Sequence, residues 1–176
     1  MKEYYYSAKE SDIKILKVED MPDKKVYMTL NKNFALMKMA NTYINLFITN
    51  EKNEILFLNL YSDLFRKIYK DMTGYIYSAV LPENIFSSDV KNEKIPYLNY
   101  YYTLNDVKLT SVKKVNIYEE FMQLYKVGIF KIIEKKDIPE DYINDLKRYY
   151  KNRYEHKFMS KGEIDFFNKY LPSFID

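Results

Sequence analysis

The chain has 176 residues, 47% of them hydrophobic and 30% charged, which is the composition of one globular unit with a sizeable core rather than of a disordered tail. Its net charge of +3 is too small to argue for a nucleic-acid partner unless the basic residues cluster. The absence of cysteine and the single histidine exclude disulfides, thiol nucleophiles, thiolate metal sites and histidine-rich metal sites.

The opening MKEYYYSAKES lacks the apolar core of a signal peptide, and no run of about 18 apolar residues occurs. The expectation is a soluble cytoplasmic protein with no membrane partner and no metal. The wealth of Tyr, Phe, Lys, Asn and Ile is that of coding in an AT-rich genome and carries no mechanism.

Taken in chain order, the first half reads as strand-rich and the second as helix-rich, which predicts an α+β fold. Residues 3–7 and 13–16 are short apolar or aromatic runs, 21–23 a turn, and 25–29 a strand with Tyr27 facing away from Val26 and Met28. Asn31 is placed to cap a helix carrying Phe34, Ala35, Met37 and Met39. Strands follow at 43–49 and 54–60, joined by a turn at 50–53. Ser62 is the expected cap of a helix bearing Leu64, Phe65, Ile68 and Tyr69, and Gly74 opens the strand GYIYSAVL.

Residues 81–94 lack periodicity and read as a surface loop, with the β pattern resuming at 97–104 and 107–117. A helix over 118–127 closes on Gly128. Asp137 and Glu140 spell a capping box for a helix to about residue 154, and Ser160 and Glu163 a second for a helix ending before Pro172. The whole is expected to be one domain over 1–176, a strand-rich core at 1–120 followed by a helical C-terminal extension at 121–176.

Several chemistries lack their residues. Three glycines scattered at 74, 128 and 162 make no phosphate loop or dinucleotide fingerprint, and no metallohydrolase or calcium-loop motif occurs. Ser7, Ser78 and Ser111 sit in no nucleophile elbow. The densest basic and aromatic run, KRYYKNRYEHK, places Lys147, Arg148, Lys151 and Arg153 on a helix where weak, non-specific nucleic-acid contact is conceivable. The same run also reads as a tyrosine stripe docked on the sheet with its basic residues in water. His156 stands at that helix's end with no acid or nucleophile at a recognisable spacing.

The segment YYYSAKESDIKIL followed by VYMTLNKNFALMKMA resembles the opening of ADP-ribosyltransferase-like folds. Those folds begin with a strand ending in a His-Gly-Thr type motif and continue to a strand and helix patterned Tyr-x-Thr-x-x-x-x-x-Ala. Gly74-Tyr75-Ile76-Tyr77 is similar to the next landmark of small, functionally uncharacterised bacterial members. The resemblance spans roughly 3–120 and implies a split β-sandwich that holds NAD through a His-Tyr-Glu pocket.

Laid on that pattern, Tyr6 falls at the histidine, with Ser7 and Ala8 at the following positions, and Tyr27 falls at the tyrosine that stacks nicotinamide. Lys38 stands where relatives carry a second tyrosine, so nicotinamide sandwiching loses one face there. Asp106 lies in the region of the acid that stabilises the ribosyl cation. Each position keeps a plainer reading: a strand aromatic for Tyr6, core or surface packing for Tyr27, a solvated helix lysine for Lys38, a turn aspartate for Asp106. Glu119 and Glu120 suit the first turn of a helix. Two functions follow from the resemblance. One is NAD-dependent transfer of ADP-ribose to a macromolecule. The other is a catalytically degenerate module, of phage or mobile-element type, that binds a host protein, with a protein target favoured over nucleic acid.

Overall fold

The structure is a computed structural model and describes residues 1–52, 54–88 and 101–176. It is mixed α and β, with several small sheets, none closed among the described residues. The parts of the expected loop at 81–94, strand at 97–104 and turn at 50–53 that fall on 53 and 89–100 lie outside the described residues.

The first strand, β1 (Lys2–Ala8), runs antiparallel to β6 (Thr73–Leu81), which pairs on its other side with β10 (Ser111–Asn116). A second sheet joins β3 (Val26–Met28), β8 (Tyr101–Thr103) and β7 (Ser87–Ser88). Among the described residues the two sheets meet at one bridge, Tyr5 to Thr29. A third sheet orders β11 (Phe130–Glu134), β5 (Ile55–Asn59) and β4 (Phe47–Thr49), with β11 parallel to β5. The short strands β2 (Ile15–Leu16) and β9 (Val107–Lys108) form a ribbon of their own.

Alternation along β1 divides the interior in two. Tyr4 turns to a small core with Leu16, Val26, Met28, Ala79 and Val107, and Tyr6 packs at its margin. Tyr5 turns the other way, against a larger core. That core is aromatic at its centre: Phe47 stacks on Phe121 at 4.6 Å, and Phe57, Phe65 and Phe130 crowd around them edge-on or tilted. Such ring pairs add roughly 0.5–1.5 kcal/mol each beyond the area they bury. Tyr69 is fully buried there and donates to the Ala40 carbonyl at 3.1 Å, so its hydroxyl is satisfied.

Helix α1 (Lys32–Ala40) starts where expected. The Asn31 side chain accepts from the N–H groups of Asn33 and Phe34. From 34 to 40 every residue is buried except Lys38, so this is an interior helix and not an amphipathic one. It lies over β1 and β6, where Gly74 makes room for it: an added Cβ would fall 2.2 Å from the Met39 sulfur.

Helix α2 (Leu64–Tyr69) departs from expectation, because its N-cap position is Asp63 in a left-handed conformation at φ 60° and not Ser62. The Asn59 side chain, at the end of β5, accepts from the Leu64 N–H at 3.1 Å and does the capping from a distance. The expected strand at 107–117 is divided into β9 and β10, which pair with different partners. Helix α3 (Ile117–Lys126) is capped by Asn116 and ends in a Schellman arrangement, the Ile129 N–H reaching Leu124 and the Gly128 N–H reaching Tyr125, with Gly128 at φ 77°. The strand β11 that follows was not visible in the sequence pattern. Helix α4 (Glu140–Glu155) lacks the Asp137 box, since Asp137 belongs to a preceding 3-10 turn and Pro139 occupies the cap. Helix α5 (Lys161–Tyr170) has both bonds of the Ser160 and Glu163 box.

Candidate functional site

The Tyr5–Thr29 bridge is the last contact before β1 and β3 part. Tyr5 donates to the Thr29 carbonyl at 2.7 Å and accepts from its N–H at 3.0 Å. Among the described residues, β1 beyond it pairs only with β6. Strand geometry points the N–H and C=O of Ser7, two residues on, in the same direction as those of Tyr5. They face the gap. The pairing on the far side agrees: Ser78, opposite Tyr5, turns its carbonyl away from β1 to accept from Thr110.

The gap is a cleft of about 410 Å3, within the size range of small-molecule sites. Its walls come from β1 (Tyr5, Tyr6, Ser7), from Lys9 just beyond, from β3 and Thr29, and from the last turns of α1 with Asn41 and Thr42. Because the cleft opens on the edge of β1, Tyr5 and Tyr6 reach it from opposite faces of the strand. Tyr6, Ser7, Tyr27 and Lys38, named in the sequence from three separate segments, all line it.

Tyr27 is half-buried and opposite in phase to Val26 and Met28, which are fully buried. Its hydroxyl donates to Asp23 Oδ2 at 2.6 Å, and that bond holds the Asp23 carboxyl below its usual pKa. Burial pushes the Tyr6 hydroxyl the other way, above the usual phenol value. The Tyr5 hydroxyl donates to Glu3 Oε2 at 2.7 Å, and the hydroxyls of Ser78 and Tyr5 together lower the Glu3 pKa. Lys38 is exposed by surface area, yet the surrounding protein crowds its amine enough to lower its pKa by desolvation. Lys9 extends its ammonium over the ring of Tyr43 at 4.9 Å.

Asp106 is not among the described residues that line the cleft. Its carboxylate accepts from the Val18 N–H at 2.9 Å and ties the turn before β9 to the 3-10 turn at 18–20. Glu119 and Glu120 lie in the first turn of α3, Glu120 paired with Lys113. The lining residues that the sequence pattern did not name are Tyr5, Lys9, Thr29, Asn41 and Thr42. Period-two counting from Ser7 finds the first two, and the end of α1 finds the last two.

On α4 the basic residues have intramolecular partners: Arg148 with Asp145 at 2.7 Å, Arg153 with Glu163 at 2.9 Å, and Lys151 with the Asp176 carbonyl. Lys147 stands over the Phe174 ring. The His156 ring nitrogen meets the Asn152 carbonyl at 2.9 Å. Among the described residues no group of acidic, histidine or cysteine side chains is arranged to hold a metal, and no helix is long and apolar enough to cross a membrane. No protein-family model, curated protein or solved structure matches the chain.

Proposed function

We propose that this chain is an ADP-ribosyltransferase-like protein with a degenerate pocket, whose cleft between β1, β3 and α1 binds NAD or a related nicotinamide nucleotide without transferring ADP-ribose. The observation that carries the reading is the convergence of Tyr6, Ser7, Tyr27 and Lys38 on one cleft. The parting of β1 and β3 after a single bridge supports the split-sandwich assignment. The Ser7 backbone offers a donor and an acceptor side by side, the pair that a primary carboxamide complements. Tyr27 offers an aromatic face for a planar ring.

Turnover is the part of the chemistry for which the cleft is poorly equipped. A departing nicotinamide leaves a cationic ribosyl centre, which a carboxylate would stabilise and lysines would not. The described lining residues include Lys9 and Lys38 and no acid. Calorimetric titration with NAD, paired with an assay for released nicotinamide, tests both halves. The expected result is binding with no release above the buffer blank. Absence of binding at about 1 mM, meaning an affinity weaker than about 4 kcal/mol, sinks the ligand assignment. Release that disappears in Asp106→Asn sinks the assignment of a degenerate pocket.

A further inference from the structure

We infer that Asp23 is a positioning residue for the cleft, whose carboxylate holds the hydroxyl of Tyr27 and so fixes the ring on which a planar ligand stacks. Its effect on binding rests on the nicotinamide-nucleotide reading of the cleft, whereas the tether itself does not.

Tyr27 leaves β3 on the face opposite Val26 and Met28, so its ring stands on the other side from the small core that those two residues help to fill. Directly across the sheet the Tyr102 ring flanks it at 6.0 Å and 48°, and the Lys25 ammonium lies over Tyr102 at 4.2 Å. At the tip, the Tyr27 hydroxyl donates to Asp23 Oδ2 at 2.6 Å, the length of a charge-assisted bond.

The turn before β3 delivers that carboxylate. The Lys24 N–H closes it on the Met21 carbonyl at 3.1 Å, with Lys24 in the left-handed region at φ 58°, and Asp23 is folded back along the strand it precedes. The Lys24 ammonium ties the same turn to the Glu19 carbonyl at 2.7 Å.

Tyr27 is among the described residues that line the cleft and Asp23 is not, so the carboxylate reaches a ligand only through the ring. A tyrosine on a strand face ordinarily samples several rotamers. One held at its tip presents a single face and has already given up the freedom that stacking would otherwise remove.

The test is calorimetric titration with NAD and, separately, with ADP-ribose, which lacks the nicotinamide ring. Wild type, Asp23→Ala, Asp23→Asn, Tyr27→Phe and the Asp23→Ala, Tyr27→Phe double variant are compared, each checked for native circular dichroism. Asp23→Ala is expected to weaken NAD roughly threefold to tenfold and to leave ADP-ribose unchanged. Asp23→Asn keeps an acceptor and restores most of the NAD affinity. In the Tyr27→Phe background, Asp23→Ala has no further effect. The same measurable NAD affinity in wild type and Asp23→Ala, or an equal loss for ADP-ribose, overturns the inference. Three-bond side-chain couplings of Tyr27 in the ligand-free chain separate the two readings. One rotamer in wild type that becomes averaged in Asp23→Ala supports the tether even where NAD does not bind, and then counts against NAD as the occupant; couplings that are the same in both proteins sink the tether.

Discussion

Tyr5 exchanges both of its backbone hydrogen bonds with Thr29, the residue after β3, and among the described residues that exchange is the only backbone bridge from β1 to the β3 segment. The cleft exists because the pairing stops there. Thr29→Pro removes the donor to the Tyr5 carbonyl and is expected to cost about 1–3 kcal/mol in urea unfolding, with loss of ligand binding. Thr29→Val keeps the bridge and removes the hydroxyl that accepts from the Asn31 N–H at 3.1 Å, so it is expected to cost about 1 kcal/mol and leave binding intact. Equal binding in both variants would detach the bridge from the site.

The contact between Gly74 and Met39 couples the sheet to the cleft wall. A methyl at position 74 meets the Met39 sulfur and also lies 3.1 Å from the Ala8 carbonyl. Gly74→Ala is therefore expected to displace α1, at a cost of about 1–3 kcal/mol, and to weaken ligand binding through Lys38 and Met39. Met39→Ala in the same chain should recover part of the loss, and a double-mutant cycle measures the coupling.

Tyr27 and Asp23 give a pH-dependent expectation. The Asp23 pKa is depressed in the folded chain, chiefly by the Tyr27 hydroxyl, so its contribution to stability is present above the unfolded pKa and is lost as pH falls through the folded value. Tyr27→Phe should raise the Asp23 pKa toward the ordinary carboxylate value, seen in a side-chain carbon NMR titration. Its stability deficit against wild type should be full at neutral pH and vanish on the acid side. A deficit that persists below the wild-type Asp23 midpoint contradicts this origin.

Ser160 closes a complete capping box at the start of α5. Ser160→Ala is expected to destabilise the chain by about 1 kcal/mol, and Ser160→Asp to preserve most of the cap. Thermal unfolding of the two variants provides the comparison.

What was legible in the sequence was mostly local. The Asn31 cap and the Ser160 box depend on residues within one turn of each other, and both are present. The fold was legible to the level of mixed α and β. Strand β11 was hidden because its five residues gain their stability from parallel pairing with β5, a long way back in the chain. The Asp137 box failed because a 3-10 turn claims that residue first, and the Ser62 cap failed because Asn59 reaches the Leu64 N–H from the preceding strand. At the cleft, Tyr6, Ser7, Tyr27 and Lys38 could be named from the sequence because each lies on one periodic element, β1, β3 or α1, while Lys9 could not. Lys38 was harder to judge, because the sequence shows a lysine on a helix but not that the residues from 34 to 40 around it are all buried. The place of Asp106 in a turn entering a strand was legible, but its partner was not, as the Val18 amide lies far away in sequence.

The central claim is that a nicotinamide nucleotide occupies the cleft, and amide chemical-shift mapping on adding NAD tests it most directly. The account predicts saturable shifts at Ser7, Tyr27, Thr29 and Lys38, with Asp106 and the basic face of α4 unmoved. Shifts confined to Lys147, Arg148, Lys151 and Arg153, or none anywhere at millimolar NAD, would contradict it.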